Sequence, residues 1–565
     1  MNRKIGLLLG VAVLLLILSL VFYWNVFLPH VNETSSNLKI ETSEEEILVE
    51  IDKSHTFSDS AYKSWRHILV TLNPQAQSKD YEKLEKVLDV PGDLIVTVYL
   101  ETTGEQNLLH EVMNGTFDKA LNVLFSVISA HQGTVLLRPM PDMEVPVKLL
   151  PWQYQAPSDY INAFRYFSRM SKKIASNTAI IWGPSGYPGL EEYWPGSESV
   201  DLVSMTLDSK SEHLTDLYPK DSSLAIQVKR KVHRLRFMPK KILVFGSKVL
   251  KSNARNLKQI SLGLSELHKD SDPIYNSLSS KSFSSDLPSD VSLPIIGVYD
   301  PDTLLVGSAS VTAEHLFVDL LNIQNGGFES EFRAVIGRKH DVILSIEPWR
   351  DGAVTKDNNV LLNTITGVYD REFQEIYRVI ANCGQTVYLR FAHEMEIPIH
   401  RYAWQSQDPV LYIKAFRYFM KLQPAKSNNI QMVWGPAGDR GSMEWWPGAD
   451  VVDYVSIAIY GLPDKNITDP SKQESFRRIF DRKAGRINLT GKPIFITEFG
   501  VKGPEEFKSN WLLDAVTVIK EHPEIEGVSY FNFVDNPEVW GDIPAPEWSI
   551  SQSTFERFVK KLTNR

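Results

Sequence analysis

Cysteine is almost missing from this chain of 565 residues, which holds a single one at Cys383. A lone cysteine excludes an intrachain disulfide and a cysteine-based metal cage. The histidines and acidic residues lack the close spacing of metal ligands, so we expect no metal and no cofactor. Stability must come from large hydrophobic cores, which a chain of this length can build.

An excess of positive charge is missing as well, since the formal net charge is -9. A nucleic-acid surface needs a basic footprint, so we expect no nucleic-acid partner. The composition is 43% hydrophobic and 11% aromatic, which is ordinary for globular proteins and excludes wholesale disorder. At about 150 residues per domain, the length allows two to four domains.

Long apolar runs are missing except for one, at residues 5–28, which contains no charged residue and follows Arg3 and Lys4. About 20 apolar residues span a bilayer, so the run predicts a signal anchor over residues 1–29 with a cytoplasmic N-terminus. The alternative is a cleaved signal peptide. However, this run is longer than the apolar region of a signal peptide, and no small-x-small cleavage site follows it. We therefore expect a single-pass membrane protein with its remainder periplasmic or extracellular, beginning with a tether at residues 30–46.

Self-comparison reveals an internal repeat at a constant offset of 252 residues, which predicts two tandem copies of one domain. The first copy covers residues 47–270 and the second residues 293–565, with a Ser-rich linker at 271–292 between them. The matching blocks are 134–146 with 386–398, 163–167 with 415–419, 182–184 with 434–436 and 194–196 with 446–448.

Short apolar runs alternate with amphipathic stretches in each copy, the pattern of buried parallel strands joined by helices. Repeated strand–helix units over about 250 residues predict an α/β fold of two tandem (β/α)8 barrels. An open doubly wound sheet is the alternative, but neither copy has a Gly-x-Gly-x-x-Gly loop. In the second copy the predicted strands are 294–299, 341–346, 386–390, 430–434, 452–457, 493–497 and 528–531.

Two of these strands end in a glutamate, Glu394 after Arg390 and His393, and Glu498 within Thr-Glu-Phe-Gly. In such barrels, residues at the carboxyl ends of strands line the active site. A carboxylate leaving an apolar strand is costly unless it is used or paired. Two carboxyl groups from different strands are the minimum machinery of glycoside hydrolysis.

At these motifs the second copy resembles glycoside hydrolase family 26, a β-mannanase-rich family with (β/α)8 barrels and retaining chemistry. The pattern Arg-x-x-His-Glu-Met lies at residues 390–395, and the block Lys-Pro-Ile-Phe-Ile-Thr-Glu-Phe-Gly at 492–500 is very close to that of the family. The resemblance covers roughly residues 290–560. It implies Glu394 as acid/base and Glu498 as nucleophile.

Supporting roles are also implied. Arg390 is the cation expected to keep Glu498 ionised, His393 is expected to orient Glu394 or a sugar hydroxyl, and Tyr460 resembles the tyrosine that hydrogen-bonds the nucleophile. Glu347 and three tryptophans, Trp349, Trp434 and Trp446, are candidates for substrate binding, although the tryptophans could equally pack under the barrel rim.

The second copy departs from the family where Glu396 and Ile397 replace the usual Asn-Gly, so the sugar specificity stays open between mannan and β-glucan.

The first copy departs further from the family pattern. At the offset of 252, Asp142 stands for Glu394 and Gly246 for Glu498. We therefore expect the first barrel to be inactive. Its basic stretch at residues 229–236 is expected to be a solvated helix face or a surface for an anionic polymer or lipid.

These patterns predict a membrane-anchored retaining endo-β-glycosidase that acts on a polysaccharide, with polysaccharide synthesis or export machinery as an expected partner. A non-catalytic glycan-binding or scaffold protein of an exopolysaccharide assembly is the alternative, motivated by Glu396-Ile397 and the altered first copy. Transglycosylation by the same two glutamates is a third hypothesis, which the sequence does not separate from hydrolysis.

Overall fold

A computed structural model describes most of the chain after residue 36. The described residues are 37–52, 57–58, 65–102, 104, 107–207, 223–271, 293–350, 359–381, 383–398, 401–423, 427–461, 473–540, 542 and 544–564. They form an N-terminal sheet unit up to residue 271 and a C-terminal barrel from residue 293.

The barrel is a closed ring of eight parallel strands. Its strands are β10 (Ile295–Tyr299), β11 (Ala313–Asp319), β12 (Asp341–Glu347), β13 (Val387–Phe391), β14 (Ile430–Trp434), β15 (Tyr454–Gly461), β16 (Ile494–Val501) and β17 (Ile525–Phe531). The seven runs predicted for this copy fall on seven of these strands. All eight residues of β16 are buried, because parallel strands in such a barrel are covered on both faces.

The sequence pattern missed β11, where Glu314 and His315 interrupt the apolar run. Both side chains are buried and paired. Glu314 accepts hydrogen bonds from Arg338 and His340, and His315 lies 2.8 Å from the Ser345 hydroxyl. Paired polar groups can be buried in a strand without a large penalty, so hydrophobicity alone does not reveal it.

The described residues of the N-terminal sheet unit form an open sheet of nine strands and not a closed barrel, which corrects the expected pair of barrels. Its strands are β1 (Leu38–Thr42), β2 (Glu45–Ile51), β3 (Phe57–Ser58), β4 (Arg66–Leu72), β5 (Leu94–Leu100), β6 (Val135–Pro139), β7 (Thr178–Trp182), β8 (Leu202–Thr206) and β9 (Ile242–Ser247). Their order in the sheet is β1-β4-β5-β6-β7-β8-β9-β2-β3. The run from β4 to β9 is parallel, whereas β1 and β2 pair antiparallel at its two sides.

The predicted tether therefore contains structure, since β1 and the start of β2 lie within residues 30–46. These two consecutive strands occupy opposite sides of the parallel run and are separated only by Ser43 and Glu44. A regular barrel would continue the six parallel strands with two further parallel strands. Here the antiparallel strands β1 and β2 lie at these two positions. Of the linker predicted at residues 271–292, Ser271 ends a helix and residues 272–292 lie outside the described part.

Helices alternate with the parallel strands in both units. Those of the sheet unit are α1 (Glu82–Leu88), α2 (Leu108–Met113), α3 (Asp118–Ser129), α4 (Pro157–Ile174), α5 (Leu224–Arg234), α6 (Lys248–Ser252) and α7 (Ala254–Ser271). Those of the barrel are α8 (Leu320–Gln324), α9 (Gly327–Gly337), α10 (Val360–Ile365), α11 (Asp370–Ile380), α12 (Pro409–Lys421), α13 (Phe476–Ile487), α14 (Glu505–Glu521), α15 (Pro537–Trp540) and α16 (Gln552–Thr563). The Asp408 carboxylate caps α12 by accepting from two backbone N–H groups.

The expectation of a single-pass membrane protein is not supported. Among the described residues, no helix combines the length and the apolar character needed to cross a bilayer. The run at residues 5–28, on which that expectation was based, belongs to residues 1–36 and lies outside the described part.

The basic stretch at residues 229–236 is also placed differently from either expectation. It forms the end of α5 and the turn after it, and its arginines are largely buried against the barrel. Arg230 and Arg234 pair with Glu444, and Arg236 donates to the Met443 carbonyl. The positive charge belongs to a contact between the two units, since Glu444 lies in the barrel.

Candidate active site

A cavity of about 380 Å³ opens at the carboxyl ends of the barrel strands. This volume lies in the range of small-ligand sites, and the location is where barrels of this kind place their catalytic groups. Its walls combine carboxyl groups, one arginine and aromatic rings. They are formed by Tyr299, Phe317, Glu347, Glu394, Arg401, Tyr402, Tyr460, Glu498, Phe531, Phe533, Val534, Asp535, Asn536 and Pro537.

Glu498 projects from β16 into this cavity and is held by two donors. The Arg390 guanidinium from β13 donates to one carboxylate oxygen, and the Tyr460 hydroxyl from β15 donates to the other at 3.1 Å. Burial alone would raise the pKa of Glu498, but the charge and hydrogen bond of Arg390, together with His393 and His315, outweigh it and lower that pKa to about 2. These contacts favour the ionised form of Glu498.

Arg390 is fully buried, and the chain is built around it. Its guanidinium also donates to the Ser345 hydroxyl at 3.3 Å, which His315 contacts from the other side. A Cβ added at Gly435 would lie 2.3 Å from Nε of Arg390. The glycine of the Trp-Gly-Pro block is therefore required by the close passage of this side chain.

Glu394 follows β13 and faces Glu498 across the cavity. Its backbone has a positive φ of 54°, and its N–H donates to the Gly435 carbonyl at 2.8 Å. Burial and the negative charge of Glu498 together raise the pKa of Glu394 to about 7, against an opposing effect of Arg401. A carboxyl group with this pKa is protonated in a large fraction of molecules near neutrality and can act as a general acid.

Glu347, at the end of β12, also lines the cavity. Burial, the largest contribution, raises its pKa to about 7 against the charge of Arg401.

His393 is placed behind the cavity wall, with its ring against Phe317 and Tyr402. Its Nδ1 has no hydrogen-bond partner among the described residues, and burial keeps its pKa well below the ordinary value. Its side chain therefore makes no hydrogen bond to Glu394 here.

The three tryptophans expected as sugar platforms are not among the residues that line this cavity in the described structure. Trp434 and Trp446 are buried and pack edge-to-face at 5.1 Å. Trp349 packs against Tyr402 and Trp404. These three rings pack against other aromatic side chains and form no wall of this cavity, which gives no support to their role as sugar platforms.

Sequence reasoning missed the aromatic wall that the cavity does have. Tyr299 ends β10 and stacks on Phe531 of β17 at 4.6 Å, with Phe317 edge-on at 5.2 Å. Arg401 approaches Asp535 at 3.5 Å on the same side. The available signal was the position of Tyr299 and Phe531 as the last residues of two apolar strands, the same signal that identified the glutamates.

Glu396, at the departure from the family pattern, turns away from the cavity. Its carboxylate accepts from the N–H groups of Gly438 and Asp439 and from the Ser442 hydroxyl. This side chain therefore anchors the segment after β14 and does not offer a contact to a sugar in the cavity.

The sheet unit contains a related arrangement. Arg138 of β6 lies at the offset position of Arg390 and pairs with Glu45 at 2.7 Å and with Asp142 at 3.8 Å. Glu45 comes from the antiparallel strand β2, so the sequence comparison with Gly246 did not reveal it. A fully buried arginine needs a counter-charge, which explains this carboxylate without a catalytic role.

No protein-family model matches the chain. Among curated proteins it is similar to the β-1,3-xylanase TXYA of a Vibrio species, at 25% identity over 193 residues, 32% of this chain and 38% of that protein. It is also similar to a β-1,3-xylanase of an Alcaligenes species, at 25% identity over 148 residues, 25% of this chain and 28% of that protein. The matches thus span less than two fifths of the length of these relatives.

Among solved structures, the chain is similar to a family 26 β-mannanase of Bacteroides ovatus, with 15% identity, 48% of this chain, 89% of that chain and a TM-score of 0.37. It is also similar to a mutant form of Cel5A of Thermotoga maritima in complex with cellobiose, at 10% identity and a TM-score of 0.32. That match covers 48% of this chain and 97% of the Cel5A chain. Likenesses of this size carry no argument about activity.

Within the described residues, no group of three or more His, Cys, Asp or Glu side chains could hold a metal ion.

Proposed function

We propose that this protein is a retaining endo-β-glycosidase of the family 26 kind, acting on β-mannan, β-glucan or β-1,3-xylan. The observation that carries the proposal is the pair Glu394 and Glu498, which line one cavity with pKa values of about 7 and about 2. Two carboxyl groups with pKa values displaced in opposite directions are suited to separate roles as acid and nucleophile. The curated relatives, which are named as β-1,3-xylanases, support a β-linked polysaccharide as substrate.

In the first step, the Glu498 carboxylate attacks the anomeric carbon and forms an ester bond to it, while the glycosidic carbon–oxygen bond breaks. Glu394 gives its proton to the leaving oxygen, so the shortened chain departs as an alcohol. Arg390 and Tyr460 hold the nucleophile in place through their hydrogen bonds.

In the second step, Glu394 is ionised and takes a proton from an incoming water, whose oxygen bonds to the anomeric carbon. The ester bond to Glu498 breaks, which restores both carboxyl groups and retains the anomeric configuration. Covalent bonding to the sugar removes the charge of Glu498, which lowers the pKa of Glu394 and makes it a better base at this stage.

The test is hydrolysis of β-1,4-mannan, mixed-linkage β-glucan and β-1,3-xylan by the full chain, with sizing of the products. Glu498→Ala should reduce the rate at least about a thousandfold, because the nucleophile is lost. Glu394→Ala should retain the first step on aryl glycosides with an activated leaving group, seen as a burst of released aryl alcohol, because that step needs no protonation. The second step should be slow, because the base that activates water is missing. Activity of Glu498→Ala near the wild-type level would refute the proposal.

A matched control is available in the sheet unit. Asp142 lies at the offset position of Glu394 and is buried in a similar loop with a positive φ of 57°. Asp142→Asn should hydrolyse the polysaccharide at the wild-type rate, since the proposed chemistry is confined to the barrel.

A further inference from the structure

The segment at residues 438–446 connects the acid/base position to the other unit of the protein. On the side of the barrel, Glu396 lies two residues after Glu394, and its carboxylate accepts from Gly438, Asp439 and Ser442. These contacts are buried and 2.8 to 3.1 Å long. Movement of this segment would therefore move the backbone that carries Glu394.

On its other side, the same segment is held by the sheet unit. Glu444 is 4% exposed and accepts from both Nε and Nη2 of Arg230, at 3.1 and 3.2 Å. Arg234 approaches the same carboxylate at 3.0 Å. Arg440 of the same segment donates to the Glu144 carbonyl of the sheet unit, and its guanidinium lies over the Tyr154 ring at 4.7 Å.

The contact between the two units is built twice from matching elements. Arg234 of α5 pairs with Glu444 at 3.0 Å, and Arg486 of α13 pairs with Glu192 at 3.3 Å. Both members of the second pair are related to those of the first by the offset of 252 residues. This reciprocal pattern is typical of isologous interfaces. The two ion pairs differ in how they meet the segment beside Glu394. Glu444 is itself part of the segment, whereas in the mirrored pair Arg486 donates to the Gly438 carbonyl at 3.2 Å and Glu192 approaches Arg440 at 4.0 Å.

We propose that the sheet unit positions the acid/base glutamate of the barrel, by clamping residues 438–446 through Glu444 and thereby fixing Glu396 and Glu394. The inference rests on the proposed function of Glu394. It gives the unit that lacks the catalytic pair a role in the chemistry, with Glu444 and Arg230 as positioning residues.

The backbone at Glu394 needs such support. Ala392 and Glu394 both have positive φ angles, of 47° and 54°, which are strained for residues other than glycine. Strained conformations persist only when the surroundings over-determine them. The charged groups that face Glu394 are Glu498, Arg401, Arg390, Glu396 and Lys483.

The experiment compares steady-state kinetics and pH profiles of the full chain and its Glu444→Gln variant. A misplaced catalytic group can cost up to about a hundredfold in rate. We expect kcat to fall about tenfold with KM within about twofold, since the sugar-contacting walls are unchanged. The alkaline limb of the profile should move to lower pH, because a looser segment admits water and reduces the burial that raises the pKa of Glu394.

The matched control is Glu192→Gln, which breaks the mirrored ion pair but leaves in place the hydrogen bond that Arg486 donates to the Gly438 carbonyl. Glu192 itself approaches the segment only through Arg440, at 4.0 Å. It should lower the unfolding temperature but leave kcat and the pH profile unchanged. Arg230→Lys keeps the charge and loses the two-pronged contact, so its kcat should lie between wild type and Glu444→Gln. This variant decides the question if Glu444→Gln does not fold.

The outcomes separate the inference from the function on which it rests. Wild-type kcat and pH profile in folded Glu444→Gln, or equal losses in Glu192→Gln, would overturn the clamp while wild-type hydrolysis still supports the proposed function. An inactive wild-type protein on all three polysaccharides would overturn both. A loss of kcat confined to Glu444→Gln and Arg230→Lys supports the clamp.

Discussion

Removal of the negative charge of Glu498 should lower the pKa of Glu394, and Glu498→Gln is the perturbation that isolates this effect. The pKa of Glu394 is raised from 4.5 to about 7 by burial and by Glu498, which corresponds to about 3 kcal/mol against ionisation. Glutamine keeps the shape of the nucleophile, so burial is preserved and only the charge is removed.

The expected size follows from Coulomb's law. Retaining glycosidases hold their carboxyl groups about 5.5 Å apart. At an effective dielectric constant of about 20, two like charges at this separation repel by roughly 3 kcal/mol. Since Arg390 and Arg401 remain in place, we expect the pKa of Glu394 to fall from about 7 to about 5 in Glu498→Gln.

The assay is a titration of the carboxyl 13C chemical shift in glutamate-labelled protein, with the Glu394 signal assigned from its absence in Glu394→Gln. The wild-type midpoint should coincide with the alkaline limb of kcat/KM, because the acid must be protonated in the free enzyme. A midpoint that stays at about 7 in Glu498→Gln would refute the coupling and, with it, the division of roles between the two glutamates.

Three further outcomes are expected. The folded-state pKa of Glu394, about 7, exceeds its ordinary 4.5, so the stability that its protonated form provides is lost as the pH rises between these values. In urea unfolding, Glu394→Gln should therefore be more stable than wild type by up to about 3 kcal/mol at pH 8. At pH 4 the two proteins should have similar stability. Gly435→Ala places a Cβ 2.3 Å from Nε of Arg390, so it should lower thermal stability by about 1–3 kcal/mol and reduce kcat/KM. Trp446→Phe should cost about 1–3 kcal/mol of unfolding free energy without changing KM, whereas Phe531→Ala should raise KM several-fold in steady-state kinetics.

Gly183→Ala is the control for the second of these variants. A Cβ there would lie 2.5 Å from Nε of Arg138, so it repeats the same clash in the sheet unit. It should lower stability to a similar extent and leave kcat/KM within about twofold of wild type. An undiminished kcat/KM in Gly435→Ala, or a raised KM in Trp446→Phe, would contradict the site as described.

Local sequence signals predicted seven of the eight strands of the barrel. A run such as residues 493–497 is apolar and β-branched, and its strand identity depends mainly on its own composition. Glu498 follows directly at the end of that run, so its position at the barrel mouth is a consequence of the strand. The same reasoning failed at β11, where Glu314 and His315 are buried because of partners that are distant in the sequence.

By itself, the sequence determined which residues could carry the chemistry, the glutamates at two strand ends, because side-chain type and strand position are local properties. Only the tertiary structure decided which groups they meet. It paired Arg138 with Glu45 across an antiparallel strand and left the sheet unit unclosed. It also buried the basic stretch of α5 against Glu444. These outcomes depend on strand pairing and on contacts between residues as many as 214 positions apart, which no pattern of neighbouring residues encodes.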